Sequence, residues 1–302
     1  MSHVIEAADI EAYLQRFTIT PAQYQEIKKM DQRSDAWLKA RNHRITGSRF
    51  GSCAGHCPYQ TPSMCVRDML WSSFKGNAAT AYGTRMEPLA CAAYEKYLKQ
   101  RRKEEGFEME VFVKESGLHV RNSKPWYAAS PDGIVFDVTR GENGEEIRTH
   151  GLLEIKCPYS KKDKSGNERF YKHIPQSYYD QIQGLMAIIT ENGTMTLSWC
   201  DFHVWTPTGF QITRFAFDPA YWEALDTAIS TYYKKMFLPA LIWKERGFLN
   251  VGDIQYVPTI ALPASTYGDW FKDADLHRCE KPLTSEQIIA RFTSAEPSSD
   301  TT

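Results

Sequence analysis

No CxxC pair, no apolar run long enough to cross a bilayer, no internal repeat and a net charge of only −1: each absence removes a class of function. The seven cysteines are odd in number and scattered, at Cys53, Cys57, Cys65, Cys91, Cys157, Cys200 and Cys279. Without paired spacing, neither a zinc ribbon nor a thioredoxin-like redox site is expected. Cys53 and Cys57 flank His56, but GSCAGHCPYQ supplies no second ligand pair, so the thiols are read as free and reduced. The opening MSHVIEAADIEAYLQ has no basic segment followed by an apolar one, and the chain is expected to be intracellular with no membrane partner. A net charge near zero excludes a uniformly basic coat for nucleic acid.

What the chain does contain is ordinary globular material. Its 302 residues are 42% hydrophobic and 24% charged, enough for one large α/β domain with extensions. Charge is unevenly spread: residues 31–104 carry thirteen Lys and Arg against six Asp and Glu, while the last fifty residues lean acidic. That asymmetry predicts a positively charged groove on one side. Helical periodicity runs through 62–74, 78–103, 175–190 and 221–245, the last as one helix or two. In 78–103, Met86, Leu89, Ala90, Ala93, Tyr94 and Tyr97 fall at three- and four-residue spacing. Strand patterns appear in EMEVFVKE, GLHVR, PDGIVFDV, GLLEIKC, MTLSWCDFHVWTP and GFQITRFAF. Thr46 and Ser48 read as helix caps. Residues 1–30 form a helical preface, and the tail after Gly247 ends in SAEPSSDTT, which reads as disordered. This order predicts an α/β core, a central mixed sheet with helices on its faces.

One stretch conflicts with its own pattern. In SPDGIVFDVTRGENGEEIRTHGLLEIKC, Glu154 and Lys156 sit two apart inside an apolar strand and therefore on one face. Buried ionisable neighbours cost desolvation unless something charged meets them. Asp132, Glu154 and Lys156 together suit a divalent cation: two carboxylates at the ends of adjacent strands can share Mg²⁺, and the lysine can stabilise developing negative charge. An exposed ion pair, and a plain Pro-Asp-Gly turn, would use the same residues.

The surrounding segments narrow the choice. DAWLKARNHRITGSRFG, YGTRMEPLACAAYEKY, SPDGIV, LLEIKCPYS and YYDQIQGLMAI occur in this order over about residues 31–205, and the chain resembles the phage lambda exonuclease and YqaJ-like viral recombinase family. That family belongs to the PD-(D/E)XK nucleases and is related to herpesvirus alkaline nucleases. The resemblance implies a restriction-endonuclease-like PD-(D/E)XK core over 31–246, with an N-terminal extension (1–30) and a C-terminal one (247–302). It implies Asp132 and Glu154 as metal-binding acids, Lys156 as the catalytic lysine and Glu87 as a helix-borne acid that helps position the metal or its water. It also implies the backbone carbonyl of Ile155 as a metal contact and Gln181 as the active-site glutamine, with Gln183 its rival. Arg41, in the pattern Trp37, Arg41, Ile45, Thr46, Ser48, matches the arginine that holds the DNA 5′-phosphate, with Ser48 and Ser130 as its hydroxyl partners. Trp37 is read as core.

The activity implied is a Mg²⁺-dependent DNA exonuclease, with two ions and Mn²⁺ as a substitute. It would degrade linear duplex 5′ to 3′ and leave a 3′ strand for recombination or replication. The partners implied are double-stranded DNA ends, a single-strand annealing protein and further copies of the chain in a trimer, the last put in doubt by the C-terminal extension. An endonuclease, an RNA-degrading nuclease and a silent DNA-binding protein remain the alternatives. The iron–sulfur branch of these nucleases is disfavoured, since only Cys279 lies in the last hundred residues. A phage, prophage or large DNA virus is the implied source, and the cytoplasm or nucleus of the host the implied compartment.

Overall fold

The change from helical to two-residue periodicity near residue 108 becomes a five-stranded mixed sheet in the computed structural model. The structure describes residues 5–72, 76–159, 170–171, 173–193 and 195–251; Cys279 and the tail expected to be disordered lie outside the described residues. The chain begins α1 (Ala7–Gln15), α2 (Pro21–Ile27), α3 (Asp35–Arg41), β1 (Ile45–Thr46), a 3₁₀ turn at Gly47–Arg49, α4 (Phe50–Ala54), α5 (Pro62–Trp71) and α6 (Ala78–Glu104). It continues β2 (Phe112–Lys114), β3 (His119–Val120), β4 (Tyr127–Ala129), β5 (Gly133–Arg140), β6 (Glu146–Lys156) and α7 (Gln176–Glu191). After β7 (Trp199–Thr206) and β8 (Gly209–Ala216), the closing segment is α8 (Pro219–Tyr232), a π turn at Tyr233–Phe237 and α9 (Leu238–Glu245).

The main sheet runs β2-β5-β6-β7-β8. The insertion TRGENGEEIRTH extends both strands of the antiparallel β5–β6 hairpin and supplies its turn at 141–145, while β6 and β7 are parallel. A second sheet, β1-β4-β3, was not legible in the sequence. Its β1 and β4 have two and three residues, too few for any periodic signal, and they exist because Ile45 pairs in parallel with Tyr127 across the fold.

Helix α7 lies between the two sheets and buries every residue from Asp180 to Ile189, as an internal helix must. Helix α6 covers the opposite face of the main sheet. Its capping box at Asn77 and Thr80 fixes its start, and Tyr82, Ala90, Tyr94 and Leu98 are its buried residues. Leu89, expected on that face, turns to solvent at 55% exposure because the buried stripe follows the i, i+4 row of Ala90. On β6, alternation puts Leu152 in the core that includes α7, and Leu153 with Ile155 in the core under α6. The N-terminal segment is docked: Arg16 pairs with Glu245 at 2.8 Å, Arg246 with Asp9 at 2.6 Å, and Tyr24 bonds His119 Nδ1 at 3.2 Å.

Helix α4 approaches α7 closely at Gly51, where a Cβ would stand 2.5 Å from Ser177 Cβ and 2.7 Å from Ser177 Cα. One of those atoms is backbone and cannot rotate away. Gly51→Ala is expected to destabilise the fold by about 1–3 kcal/mol, read as a lower urea midpoint with an unchanged slope.

Candidate active site

Asp132 ends the loop before β5, and its Oδ2 accepts the Ile155 N–H at 2.6 Å, tying the acid across to β6. Glu154 is 1% exposed. Its Oε1 accepts from Lys156 Nζ at 2.5 Å and from Gln181 Nε2 at 2.7 Å. Lys156 Nζ also donates to Gln181 Oε1 at 3.4 Å and lies 4.8 Å from the ring centre of Tyr178. Tyr178 and Gln181 are three apart on α7 and so share a face. The i, i+3 spacing in YYDQ is the sequence signal for Tyr178, which was not among the expected site residues.

The polar atoms are not all satisfied. Glu154 Oε2 is buried with no hydrogen-bond partner among the described residues. Burial, then the Glu154 charge, push the Asp132 carboxyl well above the usual carboxylate range, with Lys156 and the Ile155 N–H opposing. Burial likewise raises Glu154, against the pull of Lys156 and Gln181. Burial works against the Lys156 ammonium too, but Glu154 and Asp132 outweigh it and hold Lys156 protonated above its ordinary value.

Other buried acids of the same sheet behave differently. Arg102 grips Asp137 through two bonds of 2.7 Å and holds its carboxyl below the ordinary value against the cost of burial. Arg214 grips Asp201 through two bonds of 2.8 Å. Those acids are structurally neutralised, whereas Asp132 and Glu154 share one lysine.

Two under-compensated carboxylates with an orphaned oxygen fit a hard divalent cation, which takes oxygen ligands and completes its shell with water. Ile155, whose N–H holds Asp132, stands between Glu154 and Lys156 in sequence, and its carbonyl is a further candidate oxygen ligand. Among the described residues no three His, Cys, Asp or Glu side chains converge on one point. Glu87, on α6, instead pairs with Arg33 at 2.6 Å, though its charge is felt by both acids. Gln183 is committed elsewhere: it donates to the Ala216 carbonyl at 2.9 Å and accepts from the Asp218 N–H at 2.8 Å.

Arg41 is the last residue of α3. Its guanidinium stacks on Trp37, a core residue, at 4.0 Å and donates to Thr46 Oγ1 at 3.2 Å. Burial and neighbouring Arg49 lower its pKa to about 10. No carboxylate pairs with it among the described residues. Thr46 makes no side-chain cap, contrary to expectation; its hydroxyl accepts from Arg41 instead. Ser48 is exposed, and Ser130 donates to the Gly117 carbonyl at 3.1 Å. The Thr46–Ser48 segment packs on α7 at Gly47, where a Cβ would lie 3.1 Å from Leu185 Cδ2 and 3.5 Å from Cγ of Gln181, the residue that bonds Glu154.

Comparison with known proteins gives a consistent picture. The family model of the YqaJ-like viral recombinase domain matches residues 36–194, just over half of the chain. An uncharacterised protein of Acanthamoeba polyphaga mimivirus is 27% identical over 179 residues, 58% of this chain and 29% of that protein. A protein of African swine fever virus is 27% identical over 178 residues, 52% of this chain and 46% of that protein. The matches thus span less than half the length of these viral relatives. Among solved structures, an alkaline exonuclease from Laribacter hongkongensis superposes with a TM-score of 0.49 at 24% identity, covering 72% of this chain and 100% of that one. Its complex with dAMP gives the same figures. Glu87, Asp132, Glu154, Lys156, Gln181, Arg41, Ser48 and Ser130 all fall inside the matched family segment.

Proposed function

The chain belongs to the YqaJ-like viral recombinase domain family, and from that premise we propose that it is a Mg²⁺-dependent exonuclease acting on linear double-stranded DNA from the 5′ end. The observation that carries this reading is the partnerless Glu154 Oε2, buried beside Asp132 and the Lys156 ammonium. A charge arrangement that is costly for the free protein is what a cation and a phosphodiester would relieve.

Asp132 and Glu154 hold the metal side of the site, fixed by the Ile155 N–H and by Gln181. The Ile155 carbonyl and Glu87 are the remaining candidate contacts for it. When bound, Mg²⁺, as one ion or two with Mn²⁺ as a substitute, supplies a Lewis acid that polarises water and neutralises charge on the phosphodiester. Lys156, held protonated, stabilises the negative charge that develops on the phosphoryl oxygens. Arg41, which no carboxylate neutralises among the described residues, offers a terminal 5′-phosphate its guanidinium fork, and Ser48 offers an exposed hydroxyl. Ser130 joins them by exchanging the Gly117 carbonyl for a phosphate oxygen. Because Gly47 packs on Gln181, the end-binding segment and the acids keep a fixed separation, which suits removal of nucleotides stepwise from an end. The 3′ strand left behind is a substrate for a single-strand annealing protein.

End-labelled linear duplex with 5′-phosphate or 5′-hydroxyl ends, with and without Mg²⁺, tests the reading, with a closed circle as control. Release of 5′ label from the linear form alone, and only with Mg²⁺, is expected. Arg41→Gln should erase a preference for 5′-phosphate of about tenfold, the worth of one charge-assisted contact. Cutting of the circle overturns the exonuclease reading, and release of 3′ label first overturns the polarity.

A further inference from the structure

The chain spends a rare backbone conformation next to the site. Asp31–Ser34 is a tight turn closed by the Ser34 N–H on the Asp31 carbonyl at 3.2 Å. Its third residue, Arg33, has φ of 69°, in the left-handed region where glycine or asparagine is favoured. A non-glycine residue kept in such a conformation points to a use for its side chain. That side chain reaches across to α6, where Arg33 Nη2 stands 2.6 Å from Glu87 Oε2. The residue before it is equally committed: Gln32 Nε2 donates to the carbonyls of Ser116 at 2.9 Å and of Pro131 at 3.0 Å, and Pro131 precedes Asp132. The two middle residues of one turn therefore hold the two flanks of the acid cluster, and the same turn opens α3, which carries Arg41.

Glu87 does not converge with Asp132 and Glu154 in the free chain, but it is near enough for its charge to add to the repulsion on both. We propose that Arg33 is a positioning residue that meters Glu87: the ion pair neutralises this third carboxylate in the free chain and yields it when a divalent cation occupies the site. The proposal rests on the cation reading above and concerns how the site is loaded. The side chain of Arg33 is 48% exposed and that of Glu87 27%, so the pair is solvent-screened and exchangeable. A tighter, buried pair would block the acid permanently.

The test is a titration of thermal stabilisation by Mg²⁺ and by Mn²⁺, alongside the half-saturating cation concentration for cleavage of linear duplex. Arg33→Ala and Arg33→Gly are expected to lower both midpoints about two- to fivefold, the span of a partly exposed ion pair. Arg33→Lys, which keeps the charge, should return them to the wild-type value. Arg33→Gly also relaxes the backbone, so it keeps the test readable if the alanine variant folds poorly. In a Glu87→Gln background the Arg33 substitutions should no longer move the midpoint. Wild-type midpoints in both Arg33→Ala and Arg33→Gly overturn the proposal and leave the cation reading intact. A wild-type chain whose melting temperature ignores both cations overturns the cation reading and this proposal with it.

Discussion

Replacing Lys156 with alanine is expected to lower the rate of Mg²⁺-dependent cleavage about 10²–10³-fold, the usual cost of removing one preorganised charge donor from a reaction centre. The expectation follows from the protonation state of the lysine. Glu154 and Asp132 outweigh the cost of its burial and hold it as an ammonium, so it acts through its charge and not as a general base. Single-turnover measurements at saturating DNA and Mg²⁺ separate this loss from weaker binding. The same substitution leaves Glu154 Oε1 with Gln181 alone, and the cation-free protein should melt lower at neutral pH. A variant with wild-type single-turnover rate would remove Lys156 from the mechanism.

Asp132→Asn should move activity and stability in opposite directions. Asparagine keeps a carbonyl oxygen to accept the Ile155 N–H, so the local geometry can persist while the charge is lost. Cleavage should fall to background. The stability effect depends on pH, because the folded pKa of Asp132 is raised above the unfolded carboxyl value. The folded state therefore holds its proton over a range where the unfolded chain has lost it. The stability this contributes is full below the unfolded value, near 4, and is lost as pH rises through the folded value. At neutral pH the cation-free wild type carries that penalty, and Asp132→Asn relieves about 1–2 kcal/mol of it, the lower part of the range for buried charge because Asp132 still meets solvent. A melting temperature a few degrees above wild type at pH 7.5, converging toward wild type near pH 4, is the expected result. The stabilisation by Mg²⁺ should disappear in the same variant. A melting temperature unchanged at both pH values would mean the acids are less strained than their surroundings indicate.

The sequence by itself determined the strands and helices that carry a clear period. PDGIVFDV and GLLEIKC became β5 and β6, and the polar insertion between them lengthens both strands around the turn at 141–145, because short apolar runs bounded by turn residues mark buried strands. It also singled out the residues proposed for the reaction: Glu154 and Lys156 violate the burial pattern of their strand, and Asp132 precedes them in the pattern Pro-Asp followed by Glu-Ile-Lys. The tertiary structure decided three things that no local pattern encodes. It decided that β1 and β4 exist, because strands of two and three residues are stabilised only by their partners. It placed α7 between two sheets, which brings Gln181 and Tyr178 onto Glu154 and Lys156 from more than twenty residues away. And it separated the acids. Asp137 and Asp201 look as anomalous in their strands as Glu154 does, but each meets an arginine brought in from α6 or β8, while Glu154 meets one lysine and keeps an orphaned oxygen. Charge compensation depends on distances between residues remote in sequence, so the structure is where a buried acid becomes either a brace or a site.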